Sequence, residues 1–474
     1  MKAAADVPAV PSAAVPYNLT YVWLISLVAA MGGLLFGYDW VVIGGAKPFF
    51  EKHFQLHGAA LSGWANSCAL LGCLLGTLVT GGLSDKFGRK RLLIGSALLF
   101  MVSSLLTGGA PTFSWFVVWR LLGGVAIGMA SNLSPMYIAE IAPAHLRGRL
   151  VSVNQLTIVL GVLAAQVINW LIAEHVPEGA TAEFVRQSWN GQYGWRWMFV
   201  AVAVPSLLFF IGALLIPESP RWLVKYGRVE QARRILARIG GEAYAAAETD
   251  DIQTTISRQE PERVRFGDLL EPKMRKILLV GVVLAVLQQW SGINTIFNYA
   301  ENVFHQAGYG VSTALLNMVI IGLVNLLFTL LAIQTVDRFG RRALMLVGCA
   351  GIGLFHALIG IGFHFEAKGL VVVLPVIATM ACYAFSLAPV TWVLISEIFP
   401  NRIRGAAISV AVAALWIACF MLTFFFPLLE ERLGIACTFW LYSAICVAGF
   451  LFILFRVPET KGKSLEQIER ELVD

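Results

Sequence analysis

The chain has 474 residues, 58% of them hydrophobic and only 14% charged. A soluble protein carries about a quarter charged residues, so a water-soluble globular fold is excluded. The formal charge of +6 reads as basic loops lying beside anionic lipid rather than as a nucleic-acid surface.

Residues 1–19 lack the basic region and continuous apolar core of a cleavable signal and are expected to form a short cytoplasmic leader. Apolar stretches of about 20 residues, enough to cross a bilayer core, follow at 20–44, 61–83, 92–110, 114–138, 150–173 and 196–216. The first contains "LVAAMGGLLFGYDWVVIGGA" (27–46), whose single formal charge is Asp39. A carboxylate at that depth costs roughly 3 kcal/mol on insertion scales and calls for a functional reason. His53 and His57, four apart in a short loop with no third ligand, read as ordinary loop residues. Arg120 is the one basic residue placed inside a span. The polar segment 217–276 holds "VEQARRILARIG" and an acidic run near Glu248–Asp251, which suggests short amphipathic cytoplasmic helices latching two halves. Six more spans are expected at 277–304, 312–334, 344–364, 370–395, 406–428 and 435–456, with a tail at 457–474. The sequence therefore predicts an all-α membrane protein of twelve transmembrane helices. With the N-terminus inside, 28 of the 35 Lys and Arg face inward and six face outward, which sets both termini in the cytoplasm. The seven cysteines fall in apolar spans without CxxC spacing and read as core fillers, not as a disulfide or metal framework.

Three motifs occur twice. "SDKFGRKR" (84–91) returns as "VDRFGRRA" (336–343), "AEIAPAHLRG" (139–148) as "SEIFPNRIRG" (396–405), and "PESPRW" (217–222) more weakly as "PETKGK" (458–463). The offsets of 252, 257 and 241 residues indicate a duplicated six-helix unit. Parallel repeats with a substrate site between them are a transporter architecture. Asp85 with Arg89, and Asp337 with Arg341, are four apart across a glycine turn; Glu140 with Arg147, and Glu397 with Arg404, are seven apart across a helix end. With Glu218 and Glu459 from the third motif, these charges are expected to form a cytoplasmic gate, pairing within a half or across the halves.

From Gly32 onward the chain resembles the sugar porter family of the major facilitator superfamily. The resemblance rests on "GGLLFGYDWVVIGG", "GGLSDKFGRKR", "RLLGGVAIGMASNLSPMYIAEIAPAHLRGRLVS", "PESPRWL", "QQWSGIN", "VDRFGRR", "WVLISEIFPNRIRG" and "VPETKGKSLEQIE", in that order. Within the family the chain looks closest to bacterial xylose/proton symporters and is similar to animal facilitative glucose transporters. The resemblance implies that Asp39 is a proton carrier and Arg120 its counter-ion. The physics agrees, because burial raises a carboxylate pKa and a nearby guanidinium lowers it, whereas arginine keeps its own proton.

A sugar offers hydroxyls to neutral amides and a C–H face to an indole. "QQWSGIN" sets Gln288, Gln289 and Asn294 around a point where a membrane helix can break. Gln155, Asn325 and Trp392 match family positions that bind or orient sugar. The chain departs from the xylose symporters at Val162, Leu415, Cys419 and Asn298, the last standing where they carry a second aromatic. A hexose or a pentose is therefore expected, without a choice between them. The leading expectation is a monomeric proton-coupled importer needing a monosaccharide, a proton and a lipid bilayer, with no cofactor, metal or nucleic acid. The alternatives are a facilitator without proton coupling and a sugar sensor on the same fold; an enzyme is disfavoured because no nucleophile–base or metal-ligand cluster occurs.

Overall fold

The computed structural model describes residues 17–258, 271–399, 403–461 and 463. The leader to residue 16 and the tail from 464 lie outside the described residues, as does the Asp337 side chain. Asn18 starts the first helix by accepting the Tyr21 N–H at 3.1 Å, satisfying one of the four donors a helix start leaves free. The first half comprises α1 (Leu19–His53), α2 (Ala59–Phe87), α3 (Arg89–Gly108), α4 (Phe113–Ile141) and α5 (Ala144–Ile172). After the short α6 (Ala182–Gln187), a π-helical stretch leads into α7 (Trp195–Val200) and α8 (Ala203–Leu215), which complete the sixth crossing.

The linker carries α9 (Pro220–Lys225) and α10 (Val229–Arg258), the latter kinked at Gly240 and Gly241. The second half opens with α11 (Pro272–Trp290), continued by α12 (Ile293–Asn298) and α13 (Ala300–Gln306). Then come α14 (Val311–Phe339), α15 (Arg341–His364), the split pair α16 (Leu370–Phe385) and α17 (Leu387–Ile398), and α18 (Arg404–Arg456). At 53 residues α18 is about 80 Å long, more than twice a bilayer core, and it breaks at Gly434, where φ is 78°. Eleven described helical segments are long and apolar enough to cross a membrane; α18 supplies two crossings, giving the twelve expected. The chain is a multi-pass membrane protein of the two-half, six-plus-six major facilitator architecture.

One local reading changes. The first helix continues to His53 instead of stopping near 44, because Lys47 and Glu51, one helical turn apart, pair at 3.5 Å inside the protein. The described part of the linker is anchored on the first half; residues 259–270, through which it reaches the second, lie outside the described residues. Trp222 Nε1 and Tyr226 Oη donate to the Asp85 carbonyl at 2.9 and 2.6 Å, and Lys225 pairs with the Asp85 carboxylate at 3.2 Å. Asn18 N–H donates to the Ile239 carbonyl at 2.8 Å on the same side.

The duplication is visible as one device built twice. Gly88 and Gly340 turn the chain at φ of 88° and 87°, values that favour glycine. In each turn a glutamate occupies the space a side chain would need. Glu218 accepts the N–H groups of Arg89 and Lys90 at 2.8 and 3.1 Å. Glu459 accepts those of Arg341 and Arg342 at 2.9 and 3.2 Å. A carboxylate at a helix N-terminus meets both free donors and the positive end of the helix dipole.

Candidate functional site: a cavity between the halves

A cavity of about 420 Å³ lies between the halves. The first half contributes Phe36, Trp40, Pro135, Val151, Gln155 and Val162; the second contributes Gln288, Gln289, Phe297, Asn325, Tyr383, Trp392 and Trp416. Five of the expected sugar residues, Gln155, Gln288, Gln289, Asn325 and Trp392, therefore share one wall space. Asn294 and Asn298 are buried and do not line it. Asn294 stands behind the lining, donating to Gln289 Oε1 at 2.6 Å, and Gln289 Nε2 in turn donates to Gln288 Oε1 at 3.3 Å. Gln288 donates to the Leu387 and Ala388 carbonyls at 3.2 and 3.3 Å, tying α11 to the break between α16 and α17.

Of the four positions at which the resemblance implies a departure from the xylose symporters, Val162, Leu415 and Cys419 line the cavity and Asn298 does not. At those points the wall presents two aliphatic side chains and a thiol. The aromatic lining was largely missed by the sequence reading: Phe36, Trp40, Phe297, Tyr383 and Trp416 were not singled out. They meet across the halves, with Phe36 5.9 Å from Trp416 and Trp40 5.9 Å from Phe297 between ring centroids. The only available signal was the unusual aromatic content of "FGYDW", and single aromatics in apolar spans look like lipid-facing ones.

The cavity runs towards one end of the bundle, since Val151, Val336 and Arg341 also line it. This is the end that carries the repeated motifs. At the other end a separate cavity of about 650 Å³ is lined by Glu51, His57, Glu301, Asn302 and His305, among others. The two share no lining residue, and a septum lies between them. A polar network joins the halves there. Lys47 of α1 is buried; it lies 3.9 Å from Glu301 and 3.5 Å from Glu51 and donates to Asn302. Asn302 and Gln306 both donate to Glu430, and Val176 N–H donates to Ser312 Oγ at 2.9 Å.

At the motif end the described charge pairs form within each half, one of the two arrangements the sequence left open. Arg89 pairs with Glu140 at 2.9 Å and with Asp85 at 3.4 Å; Arg341 pairs with Glu397 at 3.2 Å. Each arginine starts the helix after a glycine turn and reaches the carboxylate at the end of another helix. The seven-residue partners do not pair. Arg404 donates to the Phe399 carbonyl at 3.1 Å, and Glu397 also accepts from Thr460 Oγ1 at 2.6 Å. Arg147 faces the linker, where burial and Asp251 push the Glu248 carboxyl up and Arg147 draws it back down. The physical reason is the extended residue Ala142 and Pro143 between α4 and α5: the chain changes direction there, so Glu140 and Arg147 leave the corner on different helices.

Asp39 and Arg120 meet inside the first half, both nearly inaccessible. Arg120 Nη1 donates to Asp39 Oδ1 at 2.8 Å, and Nη2 donates to the Asp39 carbonyl at 3.2 Å. The guanidinium also lies over the Phe199 ring at 5.3 Å. Asp39 Oδ2 is buried with no protein partner, so one carboxylate oxygen is committed to the cation and the other is unclaimed. Neither residue lines the cavity, but Trp40, the next residue in the chain, does.

A buried carboxylate–guanidinium pair beside a cavity between two repeated halves defines a membrane carrier for a neutral, polar solute. The chain belongs to the "Sugar (and other) transporter" family, whose model matches residues 25–472. It is 38% identical over 455 residues to the arabinose-proton symporter of Bacillus subtilis, covering 96% of each chain. It is 41% identical over 467 residues to a glucose transport protein of Synechocystis, covering 95% of this chain and 97% of that one. Its structure resembles a partially occluded, inward-open conformation of the xylose transporter XylE from E. coli, with a TM-score of 0.82 and 37% identity over 94% of this chain and 100% of that chain.

Proposed function

We propose that the protein is a proton-coupled monosaccharide symporter that works as a monomer by alternating access. The observation that carries this reading is the Asp39–Arg120 pair: one carboxylate oxygen held by the guanidinium, the other free to take a proton, one residue from the cavity wall. Asp39 is the proton carrier and Arg120 its counter-ion. The naming of a relative as an arabinose-proton symporter supports the coupling. The motif end faces the cytoplasm, in keeping with its excess of basic residues, so the conformation described here is inward-facing. Gln155, Gln288, Gln289, Asn325 and Trp392 receive the sugar, with Asn294 and Asn298 behind them. A neutral amide-and-indole lining suits a polyhydroxylated ring, and relatives named for arabinose, glucose and xylose leave both pentoses and hexoses in the class.

The reading is tested by equilibrium binding of labelled D-glucose and D-xylose to the purified protein, with a competition panel of unlabelled sugars. Gln289→Ala and Asn294→Ala are expected to weaken binding by about 1–3 kcal/mol, the cost of leaving a buried polar partner unpaired, and Trp392→Ala by a similar amount. Wild-type affinity in all three variants would place the sugar elsewhere.

The motif charges make up the cytoplasmic gate: Asp85, Arg89, Glu140, Arg147 and Glu218 in one half, Asp337, Arg341, Glu397, Arg404 and Glu459 in the other. With the cavity open at this end, Arg89–Glu140 and Arg341–Glu397 brace helices within each half; closing brings the two clusters together. Glu397→Gln and Arg404→Ala are therefore expected to weaken the outward-facing state. Labelling of cysteines engineered on the cytoplasmic side should rise in both, while sugar affinity measured in detergent changes little. Unchanged labelling would reduce these residues to surface anchors.

A further inference from the structure

His356 sits on α15, fully buried, and does not line the sugar cavity. Its surroundings are aromatic, with the Phe439 ring at 5.4 Å and the Tyr442 ring at 5.8 Å. An imidazole buried in a membrane span calls for a reason, and the transport mechanism above does not use it. Its one polar contact is specific: Nε2 lies 2.8 Å from the Ser291 carbonyl oxygen. A carbonyl only accepts, so Nε2 carries the hydrogen. Nδ1 has no protein partner and is then the bare acceptor of a neutral ring.

Ser291 is where the helix bearing the sugar ligands breaks. In a continuous helix its carbonyl would accept from the N–H of Thr295, four residues on. Here Gly292 is left-handed, with φ of 85°, and Thr295 N–H donates instead to the Gly292 carbonyl at 3.1 Å. The break therefore strips the Ser291 carbonyl of its helical donor inside the membrane, where a bare backbone group is costly. His356 supplies the missing donor, with the Cys446 thiol a longer second contact at 3.9 Å. The same ring packs against Gly292, so that a side chain at 292 would meet both His356 and Tyr442. Gln288 and Gln289 lie on one side of the break and Asn294 on the other, and the Asn294–Gln289 hydrogen bond spans it.

We infer that His356 is a positioning residue of the sugar site: by hydrogen-bonding the Ser291 carbonyl it fixes the angle of the α11–α12 break and so holds Gln289 and Asn294 in register. The inference rests on the sugar-site reading for its transport consequence, but its structural part can be read without sugar. His356→Phe keeps a flat ring and removes the donor. His356→Gln restores an amide N–H at nearly the same reach. Amide hydrogen exchange across 291–298 in the sugar-free protein should quicken in His356→Phe and return towards wild type in His356→Gln. Affinity for labelled D-glucose or D-xylose should fall roughly tenfold in His356→Phe, the scale set by one unmade buried hydrogen bond, and recover in His356→Gln. Combined with Gln289→Ala, His356→Phe should cost much less than it does alone, because both act on one arrangement. Wild-type exchange at 291–298 in His356→Phe, failure of the glutamine to rescue, or fully additive losses with Gln289→Ala would each overturn the assignment. If the exchange result holds while neither sugar binds the wild-type protein, the positioning role stands and the sugar reading falls.

Discussion

Asp39→Asn is expected to abolish uphill sugar accumulation driven by a pH gradient while sugar–sugar counterflow survives. The amide keeps the shape of the carboxylate and a hydrogen-bonding group, but it cannot take up and release a proton as a carboxyl group does. Counterflow needs only the loaded carrier to reorient; accumulation needs a proton to bind on one side and leave on the other. The geometry explains why one residue decides between the two. Arg120 holds Oδ1 at 2.8 Å, while Oδ2 is buried without a protein partner, so the same side chain offers an anchored oxygen and an unclaimed one. Arginine keeps its charge throughout. Removing one partner of a buried pair strands the other and costs about 3–5 kcal/mol, so Asp39→Asn is also expected to be less stable, and folding is checked first. Counterflow and pH-driven uptake are then measured in the same proteoliposomes. Accumulation at wild-type level would eliminate Asp39 as the carrier and favour a facilitator or another proton site.

What the sequence disclosed depended on how local the signal was. Twelve crossings, the duplication and the Asp39–Arg120 candidates were legible because hydropathy, repeated motifs and a lone intramembrane charge are properties of the chain itself. Gln288 and Gln289 could be placed for the same reason, around a glycine that breaks a membrane helix. The charge pairing was not. Glu140 and Glu397 are claimed by Arg89 and Arg341, more than 50 residues distant in sequence, because a glycine turn aims each arginine at another helix; nothing in a seven-residue spacing says so. The aromatic contacts Phe36–Trp416 and Trp40–Phe297 are products of the two halves meeting, and their members look like any other aromatic in an apolar span. The first span is expected to end at residue 44, whereas in the folded chain Lys47 and Glu51 pair inside the protein and the helix runs on to His53.

That buried end carries the second large effect. Lys47→Met is expected to shift the carrier towards the outward-facing state. Lys47 belongs to the first half and Glu301, Asn302 and Glu430 to the second, so their network spans the septum that separates the two cavities. The ammonium is also 5.6 Å from the centre of the Tyr299 ring, and Glu51 is held in place by Ser62 Oγ at 2.6 Å and Asn66 Nδ2 at 3.3 Å. Methionine keeps the length and apolar bulk of the stem but removes the one cation. Glu51 and Glu301 are then left facing each other, and their repulsion and desolvation are relieved when the septum opens and water enters. Breaking a buried pair costs about 3–5 kcal/mol, and every 1.4 kcal/mol is about tenfold in an equilibrium. The inward-to-outward ratio should therefore fall by roughly two to three and a half orders of magnitude. A cysteine placed at Met318, buried in the second half against Gly44 of the first, should label faster with a membrane-impermeant thiol reagent in Lys47→Met than in the parent, and labelling on the cytoplasmic side should slow. Glu301→Gln, which retains Lys47 and Glu51 as a pair on one helix, should shift the equilibrium less. The high salt that weakens exposed charge pairs should leave the wild-type labelling rate nearly unchanged, because this network is buried. Identical outer labelling in Lys47→Met and the parent would show that the septum is held by the aromatic contacts and the Val176–Ser312 hydrogen bond without help from the charges.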